Sequence, residues 1–338
     1  MDKSKKYNIV LIGCGHMGAV HLDDIFLNEN INLYAVVDLN IERARLFAKK
    51  YGADKFGADS SEFISDPMTD IVICATYPKT HLEILKLCVK HGKHLLCEKP
   101  ITEDLASAKE FAMLVEKSDI KVQVGFILRF NETYKQVAEM IQQGVIGKPI
   151  VIRMTQNHHV INWGKYRALL ENTSPIVDCG VHYIDLARWY TGAEIVNVDG
   201  ISQVLDNETP EGTYNYGLIT MTLSDGSIAY YEAGWGGAIP AENVKEFIGP
   251  KGRITILERD NRPNCKEEGD LIELYDKSTG EYKHINLVCK RRPTGAQLNH
   301  LIDMIENNVP AIPPISDVLS GFEIVSEADT KINKWINK

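Results

Sequence analysis

Three sets of residues in this chain have types and spacings suited to chemistry. The first is Gly13-Cys14-Gly15-His16-Met17-Gly18, with Asp38 20 residues beyond Gly18. Gly13 permits a tight turn. Gly15 lets the backbone approach a pyrophosphate with no Cβ in the way, and Gly18 lets a helix lie close against a strand. The start of that helix offers free N–H groups and a partial positive charge to phosphates. His16 and Met17 stand at the helix start, where they touch cofactor or solvent. Asp38 has the interval of the acid that binds ribose hydroxyls. Its carboxylate repels a 2′-phosphate, which favours NAD over NADP. Arg43, five residues on, softens that preference and leaves NADP open.

The second set is Glu98-Lys99-Pro100, after the short apolar run His94-Leu95-Leu96-Cys97. In a parallel sheet this places Lys99 at a carboxyl strand end, the edge where doubly wound sheets bind ligands. A lysine there can donate a hydrogen bond to a substrate oxygen or lower the pKa of a nearby acid. Pro100 fixes the backbone and can be cis. Lys99 can equally be a surface residue opening the next helix. The third set is Asp178-Cys179-Gly180-Val181-His182-Tyr183-Ile184-Asp185. On a helix, Asp178, His182 and Asp185 follow i, i+4, i+7 spacing. At ~100° per residue they fall within about 60° of one another. Val181, Ile184, Leu186 and Trp189 around them predict a buried helix. Three ionisable groups on one buried stripe are costly unless paired or used. Capping by Asp178, with a core His182 satisfied by Asp185, accounts for them as well.

Together the second and third sets fit oxidation of a secondary alcohol. That reaction needs a base for the O–H proton while hydride leaves carbon. His182 suits the base, because imidazole titrates near neutrality. A cationic Lys99 stabilises the developing alkoxide. Asp178, one turn away, orients the imidazole or binds a second hydroxyl.

The elements that must position these residues alternate from residue 7 to about 125. Strands read at Asn8–Ile12, Leu33–Val37, Ile71–Ala75, His94–Cys97 and Val122–Val124. Helices read at Glu42–Tyr51, His81–His91 and Leu105–Lys117, with Gly52 and Gly92 as stops. Continuous apolar strands between amphipathic helices mean a parallel sheet covered on both faces. The second half has a helix near Tyr134–Gln143 and another beginning near Asp178. Otherwise strands dominate: 150–156, 195–204, 214–223, 227–235, 246–257, 271–275 and 282–288. Ser224-Asp225-Gly226 and Lys277–Gly280 read as hairpin turns, hence antiparallel pairing. Helical segments follow Pro293 and Pro314. Arg259–Gly269 reads as a mobile loop.

With 338 residues, two domains with sizeable cores are expected. A net charge of −9, with no long basic run, argues against nucleic-acid or anionic-membrane partners. Lys3, Lys5 and Lys6 read as a solvated tail. No segment approaches the ~20 apolar residues of a membrane span. The first apolar run is too short for a signal peptide. The seven cysteines are Cys14, Cys74, Cys88, Cys97, Cys179, Cys265 and Cys289. They form no CxxC pair and no Cys/His zinc spacing, so no metal site is expected. Reduced thiols in a cytoplasmic protein are the expectation.

These motifs resemble the Gfo/Idh/MocA family (glucose-fructose oxidoreductase, inositol dehydrogenase, rhizopine catabolism) over nearly the whole chain. The resemblance is carried by the glycine turn, Ala75-Thr76-Tyr77-Pro78 with His81, Glu98-Lys99-Pro100, Gly125-Phe126 with Arg129-Phe130, Gly144-Val145-Ile146-Gly147, and the Asp178/His182/Asp185 helix. It implies an α/β protein: a Rossmann doubly wound parallel sheet over 1–124, then an α/β domain over 125–338 with a large open, mainly antiparallel sheet for substrate and oligomerisation. The C-terminal helix can pack back on the first domain. The implied activity is NAD(P)-dependent interconversion of alcohol and ketone on a sugar, inositol-like polyol or related compound, in a homodimer or homotetramer.

Carried over by position, Lys99, Asp178 and His182 are the catalytic set. Gly13, Gly15, His16, Met17, Gly18, Asp38, Arg43, Thr76, Tyr77, His81, Glu98 and Lys99 would hold the cofactor. Arg129, Asn157, Trp163, Asp178 and His182 would meet the substrate. Trp235 can stack on a sugar or belong to the core. His158 and His159 read as solvent-facing loop residues. Tyr77 departs from the smaller residue that the family often has before an Asn, which can change how the nicotinamide is covered. Two other readings stand beside the dehydrogenase. One is a glycosidase-like enzyme that retains NAD and oxidises its sugar transiently. The other is a non-catalytic dinucleotide sensor; an intact Lys99/Asp178/His182 set argues against it.

Overall fold

A computed structural model describes residues 6–26, 28–258 and 269–333, the side chain of Lys165 excepted. In chain order the first elements are β1 (Tyr7–Ile12), α1 (His16–Ile25), β2 (Ile31–Val37), α2 (Ile41–Tyr51), β3 (Lys55–Gly57), α3 (Ser60–Ser65), β4 (Ile71–Cys74), α4 (His81–His91), β5 (His94–Cys97), α5 (Leu105–Lys117) and β6 (Val122–Val124). Then come α6 (Glu132–Gln142), β7 (Val151–His159), α7 (Trp163–Leu170), α8 (Pro175–Thr191), β8 (Ile195–Gln203), β9 (Tyr216–Leu223) and β10 (Ile228–Gly236). The last are β11 (Glu242–Gly249), β12 (Gly252–Leu257), β13 (Asp270–Asp276), β14 (Glu281–Leu287), α9 (Thr294–Asn307) and α10 (Ile315–Asn333). The chain divides into two compact units, Met1–Phe130 with Arg292–Leu319, and Asn131–Arg291 with Ser320–Lys338.

The first unit holds a six-stranded sheet of order β3-β2-β1-β4-β5-β6, every neighbouring pair parallel. This is the doubly wound order, whose strand succession reverses beside β1 and opens a crevice there. All four β4 residues are fully buried, as are Leu95 and Cys97 of β5. Burial on both faces is why these runs are apolar without alternation. Left-handed glycines end two helices: Gly52 after α2 and Gly92 after α4. Asn40 caps α2 by accepting from the N–H groups of Glu42 and Arg43. Leu298 and Leu301 of α9 join the core built on Ile9, Leu11 and Val36.

The second unit holds an eight-stranded sheet of order β14-β13-β12-β11-β7-β10-β9-β8. Its pairs are antiparallel except β10 with β7. The turn at Asp225-Gly226 joins β9 to β10, and Gly280 precedes β14, both glycines at positive φ. Helix α8 lies on one face of this sheet. A Cβ on Gly180 would stand 3.3 Å from the Tyr231 ring, so a larger residue would need the ring to give way slightly. The Tyr183 and Tyr231 rings then meet at 4.6 Å.

Some boundaries differ from the sequence reading. The run 246–257 is two strands, β11 and β12, with Gly249 opposite Gly252. Pro250, lacking an N–H, suits the turn and not a ladder. Three short elements went unread: β3, α3 and α7. Asn162 caps α7 by accepting from Gly164 N at 3.0 Å. His158 and His159 continue β7 and are not loop residues. The expected loop Arg259–Gly269 lies, except for Gly269, outside the described residues, as does Cys265.

Candidate active site

In the first unit the sequence-selected residues gather at the carboxyl ends of β1, β2, β4 and β5. Gly13 has φ +98°, and a Cβ there would stand 2.5 Å from the Ala75 carbonyl oxygen. A Cβ on Gly18 would stand 2.1 Å from the Gly13 carbonyl oxygen, so α1 can close on the turn only with glycine. Gly15 is different: nothing lies within 4 Å of its Cβ position, and it is exposed. No side chain caps the first turn of α1. Uncapped N–H groups beside open backbone are what a pyrophosphate requires. His16 is exposed and Met17 half-buried, and the His16 ring meets the Arg292 guanidinium.

Asp38, just past β2, is held beside this turn. One carboxylate oxygen accepts from Cys14 N at 2.9 Å, the other from Asn40 N at 2.8 Å. Arg43 stands 3.5 Å away with a half-exposed side chain, a pair that contributes at most about 1 kcal/mol. Burial, then the Asp38 charge, pushes the Cys14 thiol up to about 12, so it stays protonated.

The loops after β4 and β5 are tied together. Glu98 N donates to Cys74 O at 2.9 Å. The His81 ring, fully buried, reaches Pro100 O at 3.0 Å through Nδ1 and Thr76 O at 3.2 Å through Nε2. Thr76 and Thr80 share a 2.6 Å hydroxyl contact, and Tyr77 is 44% exposed. The Lys99–Pro100 peptide is cis, and Lys99 is half-buried. Glu98 is buried and meets His21 Nε2 at 2.8 Å, a pair not read from sequence. Burial pushes the Glu98 carboxyl up, but the His21 hydrogen bond and charge outweigh it and hold it below the usual glutamate range. Gly125 packs on that carboxylate: a Cβ would lie 3.0 Å from Glu98 Oε2. Arg129 sits half-buried in the short helical turn Ile127–Phe130.

A cluster absent from the sequence reading lies under the same loops. Cys74, His81 and Cys97 bring their ligating atoms within 4.8 Å of one another, all three residues at 0% exposure. The parallel register pairs Cys74 with Cys97, and His81 opens α4 above them. Burial raises the Cys74 thiol, but a hydrogen bond with Cys97 and the His81 charge outweigh it and bring it well below the ordinary range. Burial, then Cys74, moves Cys97 well above it. Burial pulls His81 down, and the charge and hydrogen bond of Cys74 more than reverse this.

In the second unit α8 carries Asp178, His182 and Asp185 on one stripe. Ser174 caps its start by accepting from Val177 N at 3.0 Å. Asp178 is half-buried, His182 is 8% exposed and Asp185 4%. Asn157, buried on β7, donates to Glu232 at 2.7 Å. Its carbonyl oxygen has no hydrogen-bond donor among the described residues. Trp163 opens α7 and packs on the cluster of Val160, Leu170 and Trp235. Trp235 is 2% exposed, a core residue and not a stacking surface. Beneath α8 lies a polar network also missed in the sequence: Lys245 is fully buried, 4.6 Å from the Tyr183 ring and bonded to Asn243. Burial brings Lys245 down to about 8.

Two family models match. The model of the oxidoreductase family with an NAD-binding Rossmann fold matches residues 7–126, and that of the GFO/IDH/MocA C-terminal domain matches residues 134–255. The chain belongs to the Gfo/Idh/MocA oxidoreductase family. Its family architecture is the six-stranded parallel sheet followed by the eight-stranded, mostly antiparallel one. Among its relatives, the myo-inositol 2-dehydrogenase of Thermotoga maritima is 29% identical over 73% of this chain and 74% of the relative. The scyllo-inositol 2-dehydrogenase (NAD(+)) of Bacillus subtilis is 28% identical over 73% and 72%. The crystal structure of scyllo-inositol dehydrogenase from Lactobacillus casei, with bound NAD(H) and scyllo-inositol, matches at TM-score 0.76 and 22% identity over 99% of this chain and 100% of that one. That last likeness is one of fold. No described helix is long and apolar enough to cross a membrane.

Proposed function

We propose that the protein is an NAD-dependent dehydrogenase that interconverts a secondary alcohol and a ketone on a cyclic polyol of the inositol type or a sugar. The observation that carries this reading is the ionisable stripe of α8, with His182 and Asp185 both under a tenth exposed. The relatives named as inositol dehydrogenases support the polyol class. The cofactor fit rests on the open Cβ position at Gly15 and the uncapped start of α1. Gly13 and Gly18 shape the turn, Asp38 takes the ribose hydroxyls, and Arg43, Thr76, Tyr77 and Glu98 flank the remainder. NAD, when bound, accepts the hydride released by the carbinol carbon.

The chain's own residues do the rest. His182 takes the hydroxyl proton, and returns it in the reverse direction. Lys99 stabilises the alkoxide charge as it develops. Asp178 orients the imidazole or binds a neighbouring hydroxyl. The undonated carbonyl oxygen of Asn157 is a natural acceptor for a substrate hydroxyl, since buried polar atoms otherwise have partners. Arg129 and Trp163 complete the substrate contacts. The test is a panel of inositols, aldoses and aldonates assayed for NADH and NADPH. NADH is expected with at least one cyclic polyol or sugar. Cofactor binding with no turnover across the panel would favour the sensor reading. Glycoside hydrolysis without net NADH would favour the retained-cofactor reading.

A further inference from the structure

The Cys74/His81/Cys97 cluster is not used by the proposed reaction. We propose that these three side chains form a binding site for a thiophilic d10 cation, Zn²⁺ or Cd²⁺, and that its occupation opposes cofactor binding. Three observations carry it. The donor set is two thiols and one imidazole, with all ligating atoms within 4.8 Å of one another. Around a tetrahedral zinc, bonds of ~2.3 Å to sulfur and ~2.0 Å to nitrogen put ligand atoms about 3.5–3.8 Å apart. Each atom therefore needs to move by less than about 1 Å, within reach of side-chain rotation. His81 also has the outer contact of a metal-bound histidine: its Nδ1 reaches the Pro100 carbonyl at 3.0 Å, which fixes the ring and leaves Nε2 to ligate.

Charge agrees with geometry. Two thiolates, a neutral imidazole and a divalent cation sum to zero, which suits a site with no exposure. Binding releases two protons to solvent, one from Cys97 and one from the Cys74–His81 pair, and no electrons move. Thr76 Oγ1, 3.2 Å from Cys74 Sγ, is a further oxygen donor at the site.

The consequence for the cofactor follows from Nε2, and rests on the reading that Thr76 and Tyr77 flank it. In the structure His81 Nε2 contacts the Thr76 carbonyl at 3.2 Å. A ring nitrogen that ligates a cation cannot hold that carbonyl, so the turn carrying Thr76 and Tyr77 is released.

The test uses the full-length, reduced, metal-free protein. Titration with Cd²⁺ is read by the ultraviolet charge-transfer band of a cadmium thiolate. Zinc-loaded wild type is read by X-ray absorption, and NADH affinity by fluorescence with and without Zn²⁺. The expected results are about one tightly held cation per chain, a shell with two sulfurs at ~2.3 Å, and NADH affinity lowered by about 5-fold or more. Cys74→Ser and Cys97→Ser should each weaken uptake by about tenfold or more, and Cys179→Ser should not. A shell of oxygen and nitrogen alone, or uptake indifferent to both serine variants, would overturn the site. Two-sulfur uptake with unchanged NADH affinity would overturn the antagonism. If the metal-free protein binds no NADH, the cofactor reading fails, and the absorption spectrum still decides the site.

Discussion

At the scale of single residues, His182 and Asp38 carry the proposed chemistry. His182 is 8% exposed on α8, so its replacement removes a group the sheet-facing helix was built around. His182→Ala is predicted to lower kcat by about 10²-fold or more with NADH affinity unchanged. Activity close to wild type would reject the base assignment. Asp38 is oriented by two backbone N–H groups, which fixes its charge beside the glycine turn. Arg43 is half exposed and screened by solvent, so the Asp38 charge dominates. The wild type should therefore show higher kcat/KM with NAD than with NADP, and Asp38→Ala should narrow the gap. A native preference for NADP would contradict this. Gly13, Gly15, Gly18 and Asp38 were legible because each answers a backbone or charge requirement at a fixed spacing. Cys74, His81 and Cys97 were not, because parallel register and a helix start bring them together, and no linear spacing encodes that.

At the scale of elements, the loops after β4 and β5 are the critical pieces. The Glu98 carboxyl that anchors the second of them is held below its ordinary value of 4.5. A carboxyl lowered by folding adds stability that is present above the unfolded value and lost as pH falls through the folded one. Thermal stability should thus decline as pH drops below about 4.5. Glu98→Gln should melt lower at neutral pH and show a shallower acid decline. Parallel Tm–pH curves for the two proteins would dismiss the pair's contribution. The parallel strands were legible because burial on both faces demands unbroken apolar runs. The β11–β12 hairpin was not: the buried positions change parity across the turn, Lys245 and Phe247 before it and Ile254 and Ile256 after it, and only Pro250, with no N–H, marks the break. Helix α7 was hidden by Gly164 near its start, and β3 by its three-residue length.

At the scale of the whole molecule, the eight-stranded sheet has a face opposite α8 that bears Arg153, Tyr230, Glu246, Arg253 and Glu273. Arg153 pairs with Glu246 at 2.6 Å, and Arg253 approaches both Glu246 and Glu273. Tyr275 and Tyr282 stack beside them at 5.1 Å. An ordered ladder of charges and aromatic rings suits a contact between copies of the chain. Sedimentation should find a dimer or tetramer, and a monomer at micromolar concentration would reject this use of the face. The substrate was the least legible feature, because it depends on side chains from several strands and loops whose meeting no periodicity records. The proposed reaction is net hydride transfer from a polyol carbon to NAD. Its most direct test is to supply an inositol deuterated at the carbinol carbon and analyse the dinucleotide by mass. The expected product is NADH carrying one deuterium, formed at a rate that His182→Ala lowers by about 10²-fold or more. Unlabelled NADH, or bound NAD that never becomes reduced, would contradict it.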